Sequence, residues 1–198
     1  MRVLIVYAHP NANSFNHAML ENMQQGLQEE GHHVRIKDLY AEEFDPVLRA
    51  SDLETLQQGK IPASILVEQE SLLWAEGLVF IYPLWWFGRP AILKGWFDKV
   101  LTNGFAFEYG DDGLTGLLHH RRALALITAG GTKEFFKKNK AEPLVHRPMT
   151  DGTLAFCGIK DVHHRIYYDI AGMGDQGRKD VLTEVTALGQ HFSEMKAD

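Results

Sequence analysis

The chain has 198 residues, a formal net charge of −6 and one cysteine, with 45% hydrophobic and 23% charged residues. This length predicts one domain, residues 1–198, with a sizeable core. The acidic balance argues against nucleic acid or an anionic membrane as the main partner. No apolar stretch approaches the roughly 20 residues of a membrane span, and the N-terminal one is too short for a signal peptide. We therefore expect no membrane insertion. Since one cysteine cannot form an internal disulfide, we also expect a cytoplasmic protein.

Buried strands of a parallel sheet read as short apolar runs, whereas helices show apolar residues three and four positions apart. In chain order, these patterns predict strands at residues 3–8, 33–37, 78–82, 123–128 and 160–168. They predict helices at residues 15–27, 64–76, 90–101, 149–156 and 175–195. Residues 39–62 are predicted to be a long excursion with little regular structure.

Strands that alternate with helices predict an α/β fold, with a five-stranded parallel sheet and helices on both faces. By analogy, we expect the flavodoxin-like strand order 2-1-3-4-5, in which FMN binds where the order reverses. In that arrangement the loops after strands 1, 3 and 4 leave from the same edge of the sheet. In this chain they are residues 9–16, 83–89 and 128–132.

The first of these loops enters a helix through Asn13, Ser14, Phe15 and Asn16. The free backbone N–H groups and the dipole of a helix start attract phosphate, and Ser14 and Asn16 add side-chain donors. The alternative is simple capping of the helix by Asn13 or Ser14. The loop has neither G-x-G-x-x-G nor G-x-x-x-x-G-K-[ST], which argues against a Rossmann dehydrogenase and against a P-loop kinase or ATPase.

The second loop concentrates aromatic residues, because Trp85, Trp86 and Phe87 directly follow a buried strand. Packing in the core explains Trp96 and Phe97 inside the next helix, but it explains the aromatic residues of the loop less well. Large flat side chains gathered at the ligand edge of a sheet indicate a flat, conjugated ligand.

The third loop carries Gly130 and Gly131 directly after a buried strand. Glycines let the backbone approach a ligand closely and give its N–H groups access to ligand oxygens, although a plain turn is the alternative. A phosphate-binding helix start, an aromatic wall and a glycine pair together indicate a phosphorylated flat ring system. A flavin meets that description.

These motifs occur in an order that resembles the NAD(P)H:quinone oxidoreductase family of DT-diaphorase-like flavoproteins. The resemblance spans nearly the whole chain, and the segment 83–97 is its most specific part. The motifs that carry it are Ala8-His9, Ser14-Phe15-Asn16, the segment 83–97, Gly104-Phe105-Ala106, Thr128-x-Gly130-Gly131 and Phe156-Cys157-Gly158.

The resemblance implies a single flavodoxin-like, flavin-binding domain that forms a homodimer and reduces quinones by two electrons with NADH or NADPH. In such enzymes the flavin takes a hydride from the nicotinamide. The oxidised nucleotide then leaves, and a quinone or related acceptor receives the hydride in its place. The implied cofactor is FAD rather than FMN, because Ser14-Phe15-Asn16 looks more like the FAD-using members, and Arg178 is a candidate for contacting the adenylate.

Site residues carry over from the family position by position. Trp86, Gly130 and Gly131 take the catalytic roles. The implied cofactor-binding residues are His9, Ser14, Phe15, Asn16, Ala18, Pro83, Leu84, Trp85, Trp86, Phe87, Thr128, Ala129, Gly130 and Gly131. The implied quinone slot consists of Trp86 and Phe87 together with Phe107, Tyr109 and Phe156 of the partner subunit.

The sequence departs from the family pattern after the glycine pair. Mammalian members stabilise the reduced flavin with a tyrosine and a histidine there, but the tyrosine position carries Phe136, which has no hydroxyl. The backbone N–H groups of the glycines, or Lys137, Lys140 or His146, are the alternatives for that role. Two histidines hold a metal in one mammalian paralogue, and Asp151 and Ala155 occupy those positions here, so we expect no metal.

Two other functions remain open at this point. Some relatives of the family bind and activate a membrane transporter as flavin-bearing regulatory subunits, and Phe136 keeps this reading open because catalysis without the hydroxyl would be weak. An electron-carrier flavodoxin is less compatible with the residues, because a carrier needs an exposed flavin edge and no aromatic substrate slot.

Overall fold

The computed structural model describes residues 1–111 and 113–195. Its strands are β1 (Arg2–Tyr7), β2 (His33–Asp38), β3 (Gly77–Pro83), β4 (Phe107–Gly110), β5 (Gly113–Gly116), β6 (Arg122–Thr128) and β7 (Val162–Tyr167). Its α-helices are α1 (Phe15–Glu29), α2 (Ala50–Gln57), α3 (Ala63–Trp74), α4 (Ala91–Val100), α5 (Lys133–Lys138), α6 (Glu142–Met149) and α7 (Gly174–Gln190). A π-helical segment, Thr150–Ala155, follows α6 directly.

Five strands form one parallel sheet in the order β2-β1-β3-β6-β7. Counted along the chain, these strands have the order 2-1-3-4-5, so the α/β fold and the parallel sheet are confirmed. The strands β4 and β5 form a separate antiparallel hairpin, which the sequence patterns did not predict. No helix in the described parts of the chain is long and apolar enough to cross a membrane.

The two faces of the sheet bury two apolar clusters, because alternate residues of a strand point to opposite sides. Val3 and Ile5 of β1 pack with residues of α1 and α7 on one face. Leu4 and Val6 pack on the other face with α3, α4 and α6, where Trp96 is fully buried. Every residue of β3 is buried, which explains why this central strand is the most apolar segment of the sequence.

The prediction of little regular structure over residues 39–62 is wrong, since α2 occupies the middle of that segment. The first turn of α2 is capped by Asp52, whose carboxylate accepts a hydrogen bond from the backbone N–H of Arg49 at 3.0 Å. The helix has no buried residue, so it carries no apolar stripe that a periodicity argument could detect.

The helix predicted at 149–156 is present, but it is a π-helix over Thr150–Ala155 rather than an α-helix. It follows two helices that were not predicted, α5 and α6. Pro148 lies in the last turn of α6, and its carbonyl accepts a hydrogen bond from the hydroxyl of Thr153 at 2.8 Å. The wider turn brings Thr153 below the aromatic loop, where it contacts Arg89. The last helix ends at Gln190 rather than at residue 195.

Helices α1 and α7 pack with almost no space between their backbones. A Cβ atom added to Gly26 would lie 2.1 Å from the carbonyl oxygen of Thr186, and one added to Gly189 would lie 2.9 Å from the backbone nitrogen of Leu27. Real Cβ atoms do not approach backbone oxygen this closely, so the two glycines set the distance between the helices.

We therefore predict that Gly26→Ala lowers the free energy of unfolding by about 1–3 kcal/mol, because the added methyl group forces α7 away from α1. Gly177→Ala is the matched control, since its added Cβ meets only the flexible side chain of Met173. Thermal melts of both variants check the prediction. A Gly26→Ala protein as stable as Gly177→Ala would contradict the close contact.

Candidate functional site

The first loop ends in a capped helix start. Ser14 has an extended backbone, with φ −79° and ψ 159°, and its hydroxyl accepts a hydrogen bond from the backbone N–H of His17 at 3.2 Å. The hydroxyls of Tyr7 and Ser14 lie 3.3 Å apart. The capping interpretation of Ser14 is confirmed, and the backbone N–H groups of Phe15 and Asn16, in the first turn of α1, have no intrahelical acceptor. Phosphate binding at this helix start remains a prediction.

Asn16 links the first loop to the third one. Its side chain is only 4% exposed, and its amide nitrogen donates a hydrogen bond to the hydroxyl of Thr128 at 2.8 Å. Its Oδ1 atom is buried and has no hydrogen-bond partner among the described residues. Ala18 follows in the next turn of α1, and Phe15 packs at the edge of the core. The structure thus places a free acceptor, as well as donors, at this corner.

The aromatic loop is a tight hairpin turn. The backbone groups of Trp85 and Gly88 form two hydrogen bonds with each other, at 3.0 and 2.9 Å. Trp86 and Phe87 lie between them in the left-handed region, with φ values of 51° and 57°. This geometry is that of a type I′ turn, which normally uses Asn and Gly because other side chains are strained in it.

The turn presents its aromatic rings outward. Trp86 is 99% exposed, while Trp85 and Phe87 are partly exposed. The rings of Trp85 and His9 lie 6.2 Å apart, so the aromatic turn and the first loop are adjacent. Pro83 and Leu84 lead into the turn, and the backbone N–H of Leu84 donates to the carbonyl of Thr128 at 2.7 Å.

The glycine loop continues from Ala129, whose backbone N–H donates to the carbonyl of Tyr167 at 2.8 Å. The N–H groups of Gly130 and Gly131 have no acceptor among the described residues. A Cβ atom on Gly130 would meet nothing within 4 Å, whereas one on Gly131 would lie 3.0 Å from the ring of Phe136. Gly130 therefore offers a free N–H donor on an open side of the backbone.

Phe136 is buried between the aromatic turn and the end of β7. Its ring centroid lies 5.7 Å from that of Phe87 and 5.2 Å from that of Tyr168. The hydroxyl of Tyr168 donates to a carboxylate oxygen of Glu142 at 3.0 Å, and burial together with this carboxylate raises its pKa. Tyr168 thus brings a protonated hydroxyl close to the position that carries Phe136, and the sequence patterns did not single it out.

His146, one of the residues considered for stabilising the negative charge of a reduced flavin, is poorly suited to that role. Its ring stacks on that of His164, with centroids 4.0 Å apart and planes at 7°. Burial lowers the pKa of His146 below its ordinary value, so the ring is mostly neutral at pH 7. Lys137, another of these candidates, lies in the last turn of α5 and is exposed to solvent, unlike His146.

The substrate residues assigned to the partner subunit form a second aromatic cluster. The ring of Phe107 lies 5.8 Å from that of Tyr109 and 5.5 Å from that of Phe156, and Tyr109 is 72% exposed. The ring contacts among the described residues do not join this cluster to Trp86. Within one chain, the structure therefore forms two separate groups. One consists of these three rings, and the other consists of the three loops predicted to bind the cofactor.

Arg89 lies between these two aromatic groups, and the sequence patterns did not single it out. It donates hydrogen bonds to the hydroxyl of Thr153 at 3.0 Å and to the sulfur of Met149 at 3.4 Å. Its guanidinium lies 4.8 Å above the ring of Phe97. Only the fold brings the π-helical segment under this position.

Other chemistry is limited in the described residues. They contain no group of three or more histidine, cysteine, aspartate or glutamate side chains that is arranged to hold a metal. Asp151 pairs with Arg147 at 2.8 Å. Burial raises the pKa of Cys157 to about 11, so its thiol stays protonated and is a poor nucleophile.

Comparisons with known proteins place the chain in a family. A family model described as having the flavodoxin-like fold matches residues 1–191. An uncharacterized NAD(P)H oxidoreductase from Haemophilus influenzae is 35% identical, covering 92% of this chain and 91% of that protein. NAD(P)H dehydrogenase (quinone) 1 from Cavia porcellus is 33% identical, covering 91% of this chain and 73% of that protein.

A solved structure agrees with these relatives. The NAD(P)H:quinone oxidoreductase from Methanothermobacter marburgensis superposes with a TM-score of 0.90 at 32% identity, covering 100% of this chain and 99% of that one. With its sequence matched over nearly its whole length and its fold reproduced, this chain belongs to the flavodoxin-like family of NAD(P)H:quinone oxidoreductases.

Proposed function

We propose that this protein is a flavin-dependent NAD(P)H:quinone oxidoreductase that transfers two electrons by a ping-pong mechanism to quinones or related acceptors. One observation carries the proposal: two aromatic residues, Trp86 and Phe87, are held in a strained turn with Trp86 fully exposed at the ligand edge of the sheet. A protein keeps such strain where it serves a function. Family membership supports the same activity.

The residues of this edge fit a flavin. They combine a helix start for phosphate, exposed aromatic rings for a flat face, and free hydrogen-bonding groups on Asn16, Gly130 and Gly131 for polar ring atoms. When bound, a flavin supplies the two-electron chemistry that links nicotinamide oxidation to quinone reduction. The residues that would hold it are those already predicted in the first, aromatic and glycine loops.

The protein's own contribution is position and charge. The free N–H groups of Gly130 and Gly131 offer partial positive charge where Phe136 cannot donate. Trp86 supplies an apolar face on which a flat acceptor stacks. These are the roles that we assign to the three residues predicted as catalytic.

We infer FAD rather than FMN as the cofactor. The resemblance of Ser14-Phe15-Asn16 to FAD-using members supports this choice, and so does the position of Arg178. That residue lies in the first turns of α7, beyond the carboxyl end of β7, where it donates to the carbonyl of Ile170 at 3.2 Å and pairs with Asp175. Its side chain is partly exposed, which leaves it able to meet an adenylate.

The active form is proposed to be a homodimer. A cavity of about 670 Å³ opens between α2 and the segment before β4, and its apolar lining includes Leu48, Leu53, Ile61 and Phe107. Leu48 and Leu53 are exposed, as apolar side chains at a subunit contact are in the separate chain. Since Phe107 belongs to both this cavity and the second aromatic cluster, a partner that covers the cavity also reaches the quinone slot.

The alternative of a transporter-regulating subunit is not proposed. It depended on the missing hydroxyl at Phe136, and the described residues supply other groups near that position, namely Tyr168 and the glycine N–H groups. No contact in the described residues favours it.

The role of the aromatic turn is tested by two substitutions of one residue. Trp86→Gly and Trp86→Ala both remove the stacking ring, so we expect each to lower kcat/KM for menadione by about tenfold or more. Glycine also relieves the strain of the left-handed backbone. The free energy of unfolding should therefore be about 1 kcal/mol higher for Trp86→Gly than for Trp86→Ala. Steady-state kinetics and denaturant melts measure the two effects.

Glu43→Gly is the control, because Glu43 has a similar backbone, with φ 50°, in a polar segment remote from the aromatic turn. It should gain stability and keep its activity. Unchanged menadione kinetics in both Trp86 variants would remove this residue from the site.

The choice of cofactor is tested by refilling the apoprotein with FAD or FMN. Only FAD carries an adenylate, so Arg178→Met should weaken FAD binding by about tenfold while FMN binding changes by less than about twofold. Lys179→Met, which removes a neighbouring exposed charge, should change neither affinity. Equal affinity of the unmodified protein for FAD and FMN, or equal losses in Arg178→Met, would argue against FAD.

A further inference from the structure

A small pocket that opens to solvent lies below the aromatic turn. It has a volume of about 190 Å³ and is bounded by the end of β3, the start of α4 and one side of α6. Phe87, Val145 and Met149 give it apolar walls, and Tyr82, Arg89 and Lys94 give it polar ones. None of these three polar residues has a role in the flavin site described above.

Tyr82 brings an unused hydroxyl to this space. The residue is only 1% exposed, and its hydroxyl has no hydrogen-bond partner among the described residues. Burial raises the pKa of Tyr82 above its ordinary value, so the hydroxyl is protonated at neutral pH and is a donor. A buried donor without an acceptor is costly and rare in native proteins, and it points to a ligand that accepts from it.

Arg89 brings a positive charge that no carboxylate contacts directly. Its two hydrogen bonds both leave from Nη1, and both acceptors, the hydroxyl of Thr153 and the sulfur of Met149, are uncharged. No carboxylate among the described residues lies within 4.0 Å of the guanidinium, although that of Asp98 acts on it from farther away, and Nε and Nη2 have no hydrogen-bond partner among the described residues. Partial burial lowers the pKa of Arg89.

Lys94 adds charge at the mouth of the same space. Its ammonium pairs with the carboxylate of Asp98 at 2.5 Å, and both side chains are about half exposed. Counting Arg89, Lys94 and Asp98, the groups around the cavity carry a net charge of +1. An anion that enters between Tyr82 and Arg89 would therefore satisfy a donor and balance a charge at once.

We propose that this cavity binds a carboxylate group, with Arg89 as its charge partner and Tyr82 as its second donor. The planar guanidinium matches the two oxygens of a carboxylate. The apolar walls and the small volume suit a ligand whose remaining atoms are hydrocarbon.

Two sources of that carboxylate share the same chemistry. It is either a free small carboxylate or a carboxylate substituent of the electron acceptor. Phe87 favours the second source, because it lies both in the cavity wall and in the aromatic turn where the acceptor is expected. For this second source the inference rests on the proposed function, and it narrows the substrate class to aromatic acceptors that carry a carboxylate.

Binding is tested directly by calorimetry of the flavin-loaded protein with benzoate, and with benzamide as the uncharged ligand of the same shape. We expect benzoate to bind at least about tenfold more tightly, and Arg89→Met to remove that difference. Tyr82→Phe should weaken benzoate binding by about threefold to tenfold, without lowering the melting temperature, because the hydroxyl has no partner to lose.

Arg121→Met is the matched control, since Arg121 is exposed at the opposite edge of the sheet and pairs there with Glu76. It should leave benzoate binding unchanged. If Arg89→Met does not fold, Tyr82→Phe decides the result. Equal binding of benzoate and benzamide, or benzoate binding that neither variant weakens, would overturn the proposal.

The source is distinguished by turnover of an azo dye with an ortho carboxylate and of its methyl ester. A higher kcat/KM for the acid, lost in Arg89→Met and kept in Arg121→Met, assigns the cavity to the acceptor. Equal rates together with benzoate binding assign it to a free carboxylate. Failure to reduce menadione would count against the proposed function, while the benzoate experiment would still decide the cavity.

Discussion

The candidate site depends on the parallel pairing of β1, β3 and β6. Parallel neighbours in one sheet have to leave it by the same edge, so the three loops that follow these strands meet there. Thr128, the last residue of β6, joins them: its carbonyl accepts from Leu84 at 2.7 Å, and its hydroxyl accepts from Asn16 at 2.8 Å. The edge of the sheet thus fixes where the loops lie before any side chain contributes chemistry.

Several features that cost stability lie at this edge. Trp86 and Phe87 occupy a backbone region that favours glycine, Asn16 and Tyr82 each bury a polar atom without a partner among the described residues, and the partly buried Arg89 has no carboxylate in direct contact. Elsewhere, the sheet is packed with apolar residues on both faces. Strain and unpartnered polar atoms gathered beside an aromatic turn are features that proteins keep at binding sites.

Much of the fold could be predicted because its signals are local. The apolar strands, the cap at Ser14 and the alternation of strands and helices are all written in short stretches of sequence. The helix α2 was missed because it buries nothing, and the π-helical segment because its wider turn has no distinct apolar spacing. The aromatic turn was predicted as a loop, but its left-handed backbone was not, since Trp86 and Phe87 are unusual residues for it.

The candidate site could likewise be predicted only in part. The three loops after β1, β3 and β6 were correctly assigned to one edge of the sheet, because the topology alone brings them together. Arg89 could not be recognised as a site residue, because its role depends on residues that are distant in sequence. Its hydrogen-bond partner Thr153 lies 64 positions further along the chain, and no carboxylate contacts it directly. Tyr168 was missed for the same reason, since only the fold places it against Phe136. Nonlocal contacts of this kind carry no sequence signature.

The central claim is tested most directly by the visible spectrum of the purified protein in the absence of oxygen. The account predicts flavin absorption that bleaches when NADPH or NADH is added and returns when menadione follows. Flavin bands that nucleotide never bleaches would contradict the oxidoreductase function. A protein that binds no flavin, even after incubation with excess FAD and FMN, would contradict the assignment of the three loops as well.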